Sequence, residues 1–178
     1  MKLEQNFLKR KPTRWQNHDY NTVGTYFITI CTQNRRKLLS LVGGDVLDAP
    51  SSVCLLPHGT IADKYIQQMN DFYPHLSVES YVIMPNHIHL LLYVFEEKIQ
   101  VSKNGSSGTS TPTVRQHAVV SQFVSAFKRF CNKEYGENIW QRHFNDHVIR
   151  NCEDYDRHLR YIAENPARWQ YDELYTEE

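Results

Sequence analysis

Two histidines separated by one residue, His87 and His89, stand in the apolar run YVIMPNHIHLLLYV at positions 81–94. On a β-strand alternate side chains share a face, so both imidazoles point one way while Ile88 and Leu90 point the other. Imidazoles converging in this manner are a natural pair of ligands for a divalent metal. The spacing alone also suits two polar side chains on a half-exposed strand. No HxHxD continuation and no further His/Cys cluster follows within the strand. That disfavours a closed zinc site and fits an open, oxygen-completed centre, with magnesium or manganese sharing its ligands with a substrate phosphate.

A second constellation lies towards the C-terminal end, where the spacing predicts a helix from Cys152 to Glu164. On a wheel of 100° per residue, Tyr155, Leu159 and Ile162 fall within about 60° of one another and define the expected buried stripe. Asp154, His158, Tyr161 and Asn165 form a polar stripe on its flank. Tyr161 is thereby displayed near an imidazole one turn before it and an amide one turn after it. A phenol, with a pKa of about 10, is a poor nucleophile near neutral pH. A cation that polarises a phosphoryl oxygen lets such a weak oxygen nucleophile attack a phosphodiester. His87, His89 and a third ligand such as Asn165 would supply that centre beside Tyr161, with His158 or solvent as the base. The competing reading is an aromatic at the core margin, with Asn165 serving as a helix terminator.

These residues need a scaffold, and its elements are readable. Tyr26 to Thr32 (YFITICT) is β-branched and aromatic and follows Gly24, which predicts a strand. Gly43 to Gly59 reads as a loose excursion. Thr60 and Asp63 form a capping-box-like pair for a helix ending near Asp71, with Ile61, Tyr65, Met69 and Phe72 on one face. Two strands follow, Leu76 to Met84 and His87 to Val94, joined by a tight Pro85-Asn86 connection. Val101 to Pro112 is Ser/Gly/Thr/Asn-rich and reads as a flexible linker able to let its flanking elements move. Thr113 and Gln116 offer a second capping box, ahead of a helix carrying Val120, Phe123, Phe127, Phe130 and Cys131 and stopping at Gly136. Ile139 to Arg150 is a candidate strand. The C-terminal helix starts after Asn151 and stops at Asn165-Pro166, because a residue before proline avoids the helical region. Strand, helix, strand, strand, helix, strand, helix is an α+β order, and a ferredoxin-like antiparallel sheet is its most economical arrangement.

The 178 residues, 40% hydrophobic and 22% charged, suit a single globular domain spanning 1–178. A basic N-terminal arm (1–24) and the linker at 101–112 complete the expected organisation. No apolar stretch approaches the ~20 residues of a membrane helix, and MKLEQNFLKR lacks the pattern of a secretory signal, so a cytoplasmic protein is expected. Four cysteines, Cys31, Cys54, Cys131 and Cys152, make no CxxC pair and read as reduced, mostly buried thiols. Net charge is zero, but residues 1–40 hold eight Lys/Arg against two acidic groups and residues 161–178 hold one against five. A basic front end with Trp15, Tyr20, Tyr26 and Phe27 interleaved suits a phosphate backbone with stacked bases, or a solvated arm beside ordinary strand aromatics. Arg14, Arg35 and Arg36, with Lys128, Arg129 and Lys133 on the exposed side of the long helix, are the candidate phosphate contacts, with solvated surface as the alternative.

Taken together, YVIMPNHIHLLL, IWQRHFNDHVIRN (139–151) and YIAENPARW (161–169) resemble the single-tyrosine HUH transposases, especially the REP-associated tyrosine transposases. In order and spacing the likeness covers most of the chain from Tyr26 to Trp169. The resemblance implies a HUH endonuclease-type fold in which His87 and His89 bind the catalytic Mg2+ or Mn2+ and Tyr161 is the nucleophile. Asn165 stands where relatives carry a Gln or Asn as third metal ligand. It implies cleavage of single-stranded DNA near hairpins through a 5′-phosphotyrosine link that leaves a free 3′-hydroxyl, permitting strand transfer without nucleotide hydrolysis. A bacterial, nucleoid-associated setting goes with that activity. Relatives act as monomers or as homodimers with shared sites, and both arrangements stay open here. Two other functions share these residues. One is a non-catalytic single-stranded nucleic-acid-binding protein of the same fold; the other is a metal-dependent phosphodiester hydrolase that activates water and survives Tyr161→Phe.

Overall fold

The computed structural model describes residues 23–43, 52–95 and 119–177. The described residues form six strands and three helices in chain order: β1 (Gly24–Cys31), β2 (Ser40–Gly43), β3 (Ser52–Leu55), α1 (Pro57–Phe72), β4 (Leu76–Ile83), β5 (His87–Val94), α2 (Val119–Tyr135), β6 (Asn145–Val148) and α3 (Cys152–Glu164). Short 3₁₀ segments occupy Gln33–Arg35 and Pro166–Tyr171. The expected arm up to residue 22, Arg14, the linker at 101–112 and the Thr113/Gln116 capping box lie outside the described residues. Among the described residues no helix is long and apolar enough to cross a membrane.

The main sheet has the order β4-β5-β1-β6 with every neighbouring pair antiparallel. Between β1 and the β4–β5 hairpin lies α1, and between β5 and β6 lies α2, which is the βαββαβ plan of the ferredoxin-like, α+β class expected from the sequence. Alternation along the central strands divides their side chains cleanly. Tyr26, Ile28 and Ile30 of β1 and Ile88, Leu90, Leu92 and Val94 of β5 join α1 and α2 residues such as Ile66, Phe123 and Phe127 in one buried cluster. Phe27 and Leu91 face the other way and meet Ile162 of α3.

Several boundaries differ from the sequence expectation. Helix α1 starts one turn before Thr60, with Pro57 at its first turn, where a missing N–H costs nothing. Thr60 Oγ1 donates to the Leu56 carbonyl at 3.2 Å and Asp63 instead accepts from Tyr81 Oη at 2.6 Å. Within the stretch 43–59, Gly43 ends β2 and Ser52–Leu55 forms β3, and the two pair as a two-stranded ribbon. Gly59 is required there because a Cβ would stand 1.9 Å from the Leu39 carbonyl oxygen. Only Asn145–Val148 of the 139–150 stretch pairs as a strand. Ile139 and Trp140 are buried instead, with Trp140 bridging to Thr32 and contacting Phe127. Leu159 is exposed rather than part of α3's buried stripe, because the small apolar patch beneath α3 is filled by Ile162 and Tyr155. Cys54 and Cys152 are exposed and only Cys31 and Cys131 are buried.

The end of α3 also departs from expectation. Asn165 precedes a proline yet keeps helical dihedrals, and the chain runs on through Pro166–Tyr171 as a 3₁₀ segment. Asn151 caps the other end, its Oδ1 accepting from the Asp154 amide at 2.9 Å. The 3₁₀ continuation turns the chain so that Asp172 returns to Asn165.

Candidate active site

His87 and His89 sit at one end of β5, opposite Cys31 and Thr29 of β1 in the sheet register. Both are buried, with ring centroids 4.5 Å apart. His87 Nδ1 lies 2.8 Å from Asn86 Oδ1, and His89 Nδ1 lies 2.9 Å from Thr29 Oγ1. The two Nε2 atoms are buried and have no hydrogen-bond partner. Burial pushes the His87 pKa well below its ordinary value, with the neighbouring His89 adding to the effect. Burial likewise lowers His89, to about 4, against the opposing pull of Asp172. Both rings are therefore neutral near pH 7, the state in which imidazole ligates metals.

Asn165, at the end of α3, is almost completely buried. Its Nδ2 donates to Asp172 Oδ2 at 2.7 Å, while its Oδ1 is buried without a partner. Asp172 also accepts from Tyr161 Oη at 2.9 Å, and its other oxygen accepts from the Leu174 amide at 2.6 Å. Burial alone would raise the Asp172 carboxyl, but the Leu174 and Asn165 donors hold it below its ordinary value. The same burial, together with the Asp172 charge, holds the Tyr161 phenol above its ordinary value. Ligating atoms of His87, His89 and Asp172 all lie within 4.8 Å of one another. Buried polar atoms are normally paired, so two bare imidazole nitrogens and a bare amide oxygen around one carboxylate form a donor set suited to a divalent cation. A metal can be held here by His87, His89 and Asp172, with Asn165 bonded to that carboxylate through its Nδ2.

Tyr161 stands over this cluster, partly exposed, with its ring 5.2 Å from that of His89 and 5.9 Å from that of Phe27. Phe27 is stacked on His89 and also contacts His158, so a basic-arm stacking role does not describe it; it is a buried wall of the site. His158, the sequence candidate for a base, is turned away from that task at Nδ1. This nitrogen lies 2.8 Å from the Asp154 carbonyl, and its ring stacks on His147, whose Nε2 meets Asp154 Oδ2 at 2.8 Å. His147, Asp154 and His158 thus clasp α3 to β6. The acceptor actually bonded to the phenol is Asp172.

Two cavities meet at Tyr161 and Asp172. One, of about 320 Å³, is lined by Phe27, Thr29, His89, Asn145 and His158. The other, of about 620 Å³, is lined by Arg157, Arg160, Arg168 and Tyr171, with Glu164 and Glu173 among them. Tyr171 is 88% exposed. The structure brings together His87, His89, Tyr161, Asn165 and His158. The basic residues named from sequence are placed differently. Arg35 is half-buried on a left-handed backbone (φ 57°), its Nη1 buried without a hydrogen-bond partner. Arg36 is exposed and pairs with Glu137 at 3.6 Å. Lys128 is not on the exposed side of α2. Its ammonium donates to the carbonyls of Gln141 and His143 at 2.8 and 3.2 Å, and burial lowers its pKa to about 8. Arg129 lies over the Phe130 ring and Lys133 is exposed, both on α2, across the sheet from Tyr161. Sequence reasoning missed Asp172, which stood in an acidic tail read only as net charge, and it did not single out Arg157 and Arg160 of α3.

The geometry can now be set beside known proteins. No family model matches the chain. The REP-associated tyrosine transposase of Escherichia coli K12 is 27% identical over 145 residues, covering 82% of this chain and 67% of the relative. The chain is similar in sequence to proteins named REP-associated tyrosine transposases. An uncharacterized protein of Haemophilus influenzae is 27% identical over 180 residues, covering 94% of each chain. A solved structure of the REP-associated tyrosine transposase bound to a REP hairpin superposes with a TM-score of 0.55 at 21% identity, covering 89% of this chain and 76% of that one. The antiparallel sheet with packed helices is therefore the fold of a REP-associated tyrosine transposase.

Proposed function

We propose that the protein is a metal-dependent endonuclease and strand transferase acting on hairpin-bearing single-stranded DNA through a covalent 5′-phosphotyrosine link. The observation carrying this reading is that ligand atoms of His87, His89 and Asp172 lie within 4.8 Å of one another beside the Tyr161–Asp172 and Asn165–Asp172 hydrogen bonds, while His87 Nε2, His89 Nε2 and Asn165 Oδ1 are buried without a partner. A solvated polar strand would not leave such atoms bare, since each costs about 1–3 kcal/mol. Mg2+ or Mn2+ held by His87, His89 and Asp172, with Asn165, would polarise a phosphoryl oxygen and neutralise charge as the phosphate is attacked.

The chain's own groups supply the rest. Tyr161 Oη forms the new bond to phosphorus, the bond to the 3′-oxygen breaks, and that oxygen leaves as a 3′-hydroxyl on taking up a proton. The phenolic proton already points at Asp172 Oδ2 and passes to it as the oxygen attacks. Phe27 and His158 exclude water from one side of the phenol. Arg157, Arg160 and Arg168 line the adjoining cavity, where they can meet the phosphates of the entering strand, and Tyr171 offers its open ring to a base. The buried Nη1 of Arg35 is the further group suited to a phosphate.

The decisive experiment incubates the purified protein with labelled hairpin oligonucleotides drawn from the flanks of its gene, with and without Mg2+ or Mn2+. A denaturing gel is expected to show a metal-dependent covalent band that is absent from Tyr161→Phe. Metal-dependent cleavage without an adduct, surviving Tyr161→Phe, would instead establish a hydrolase. Binding without any cleavage by the wild type would leave a nucleic-acid-binding protein of the same fold.

A further inference from the structure

Asn86 is completely buried in the turn between β4 and β5, where the sequence marks only a tight connection. Its Nδ2 donates to the Leu174 carbonyl at 2.8 Å, and its Oδ1 lies 2.8 Å from His87 Nδ1. The first contact fixes the amide, because a flipped group would set its oxygen against the carbonyl of Leu174. With Oδ1 so placed, an acceptor faces His87 Nδ1, which must then carry the proton. Nε2 is left with the lone pair, and Nε2 is the buried atom without a partner. The turn itself is held in place, since the Asn86 carbonyl accepts from the Thr32 amide at 2.9 Å and the Thr32 hydroxyl at 3.0 Å.

Leu174 lies two residues beyond Asp172, and its own amide donates to Asp172 Oδ1. One side chain therefore touches a proposed metal ligand with its oxygen and, with its nitrogen, the segment that delivers another. We infer that Asn86 is a positioning residue for the metal centre, setting the tautomer of His87 and tying the C-terminal segment that carries Asp172 into the site. The inference rests on the metal reading of this site. It explains why an amide occupies the position: its donor and acceptor are separate atoms, one facing each neighbour, whereas a carboxylate has no donor and a hydroxyl carries both functions on one atom. Groups that orient a ligand histidine through its second nitrogen typically carry 10–100-fold of metal affinity.

Two measurements test it. In the metal-free wild type, the imidazole ¹⁵N shifts of His87 are expected to report the Nδ1–H tautomer; an Nε2–H tautomer overturns the inference without any variant. Mn2+ binding, followed by electron paramagnetic resonance, is expected to weaken by about 10–100-fold in Asn86→Ala. Amide exchange over 172–175 is expected to quicken in the same variant. Asn86→Asp keeps the acceptor and loses the donor, so it should regain most of the Mn2+ affinity while that segment stays fast to exchange. A merely structural role predicts that the buried carboxylate is as damaging as alanine for both readouts, and that result overturns the inference. So does Asn86→Ala binding Mn2+ as the wild type does. A wild type that binds no Mn2+ removes the metal reading together with the inference, which distinguishes that failure from the loss of Asn86's role alone.

Discussion

On the side of the sheet covered by α1 and α2, strand β5 presents Ile88, Leu90, Leu92 and Val94 to a cluster of twenty buried residues. On the side covered by α3, the same strand presents His87, His89 and Leu91. The buried apolar cluster there consists of Phe27, Leu91 and Ile162. The rest of that side is polar and buried, with Thr29, His87, His89, Asp154 and Asn165 packed under or along α3. Alternation by one residue thus separates a side that supplies folding free energy from a side that spends some of it. Buried apolar area contributes roughly 25 cal/mol per Å², whereas a buried polar atom without a partner costs about 1–3 kcal/mol. His87 Nε2, His89 Nε2 and Asn165 Oδ1 are three such atoms on that side, and imidazole nitrogens and amide oxygens are donors suited to a divalent cation.

The contrast is sharpest in a pair of substitutions, one on each side. His89→Leu removes a bare buried nitrogen and fills the space with hydrocarbon. Adduct formation is expected to vanish while the urea midpoint of the metal-free protein stays close to that of the wild type, because removing the bare Nε2 offsets the loss of the Nδ1 contact with Thr29 Oγ1. Phe127→Ala opens a hole among Phe123, Trp140 and the β1 side chains and is expected to cost about 3–5 kcal/mol in urea unfolding. Its folded fraction should still form the tyrosine adduct. If His89→Leu destabilised the protein as much as Phe127→Ala, the division of labour between the two sides would be wrong.

Most of this division was legible in the sequence because strand alternation and helix periodicity are local. HxH in an apolar run fixed which side the imidazoles share, and the wheel of 152–164 set Tyr161 apart from Ile162 and beside His158 and Asn165. What escaped was decided by contacts distant in sequence. Asp172 reaches Tyr161 and Asn165 only because Asn165 keeps helical dihedrals ahead of a proline, against the local preference, and the chain continues as a 3₁₀ turn. Lys128 looks like an exposed helix lysine on a wheel, yet the 141–143 loop folds over it. The β2–β3 ribbon was hidden for a similar reason: its two short strands stabilise each other and carry little pattern of their own.

A smaller effect locates the DNA. Tyr171→Ala is expected to weaken binding of a single-stranded oligonucleotide by about 1–3 kcal/mol in fluorescence anisotropy, the usual worth of one stacked base. Arg129→Ala, across the sheet, should leave that affinity within the error of the measurement. The opposite ranking would carry the strand over α1 and α2 and would remove the cavity beside Tyr161 as its path.

A pH-dependent effect concerns Lys128, where the side built for stability holds one charge of its own. Burial lowers its pKa to about 8, while the unfolded chain keeps the ordinary lysine value near 10.4. Between those values the unfolded state binds the proton more tightly, so stability attributable to Lys128 rises with pH across the window. It is fully present above the unfolded value and lost as pH falls through about 8. Urea midpoints of wild type and Lys128→Met should therefore diverge in favour of the wild type as pH is raised from ~8 to ~10.5. A difference that stays constant over that range would mean that the ammonium is solvated. It would then be free to meet a phosphate, and the side of the sheet bearing α2 would regain a claim on the DNA.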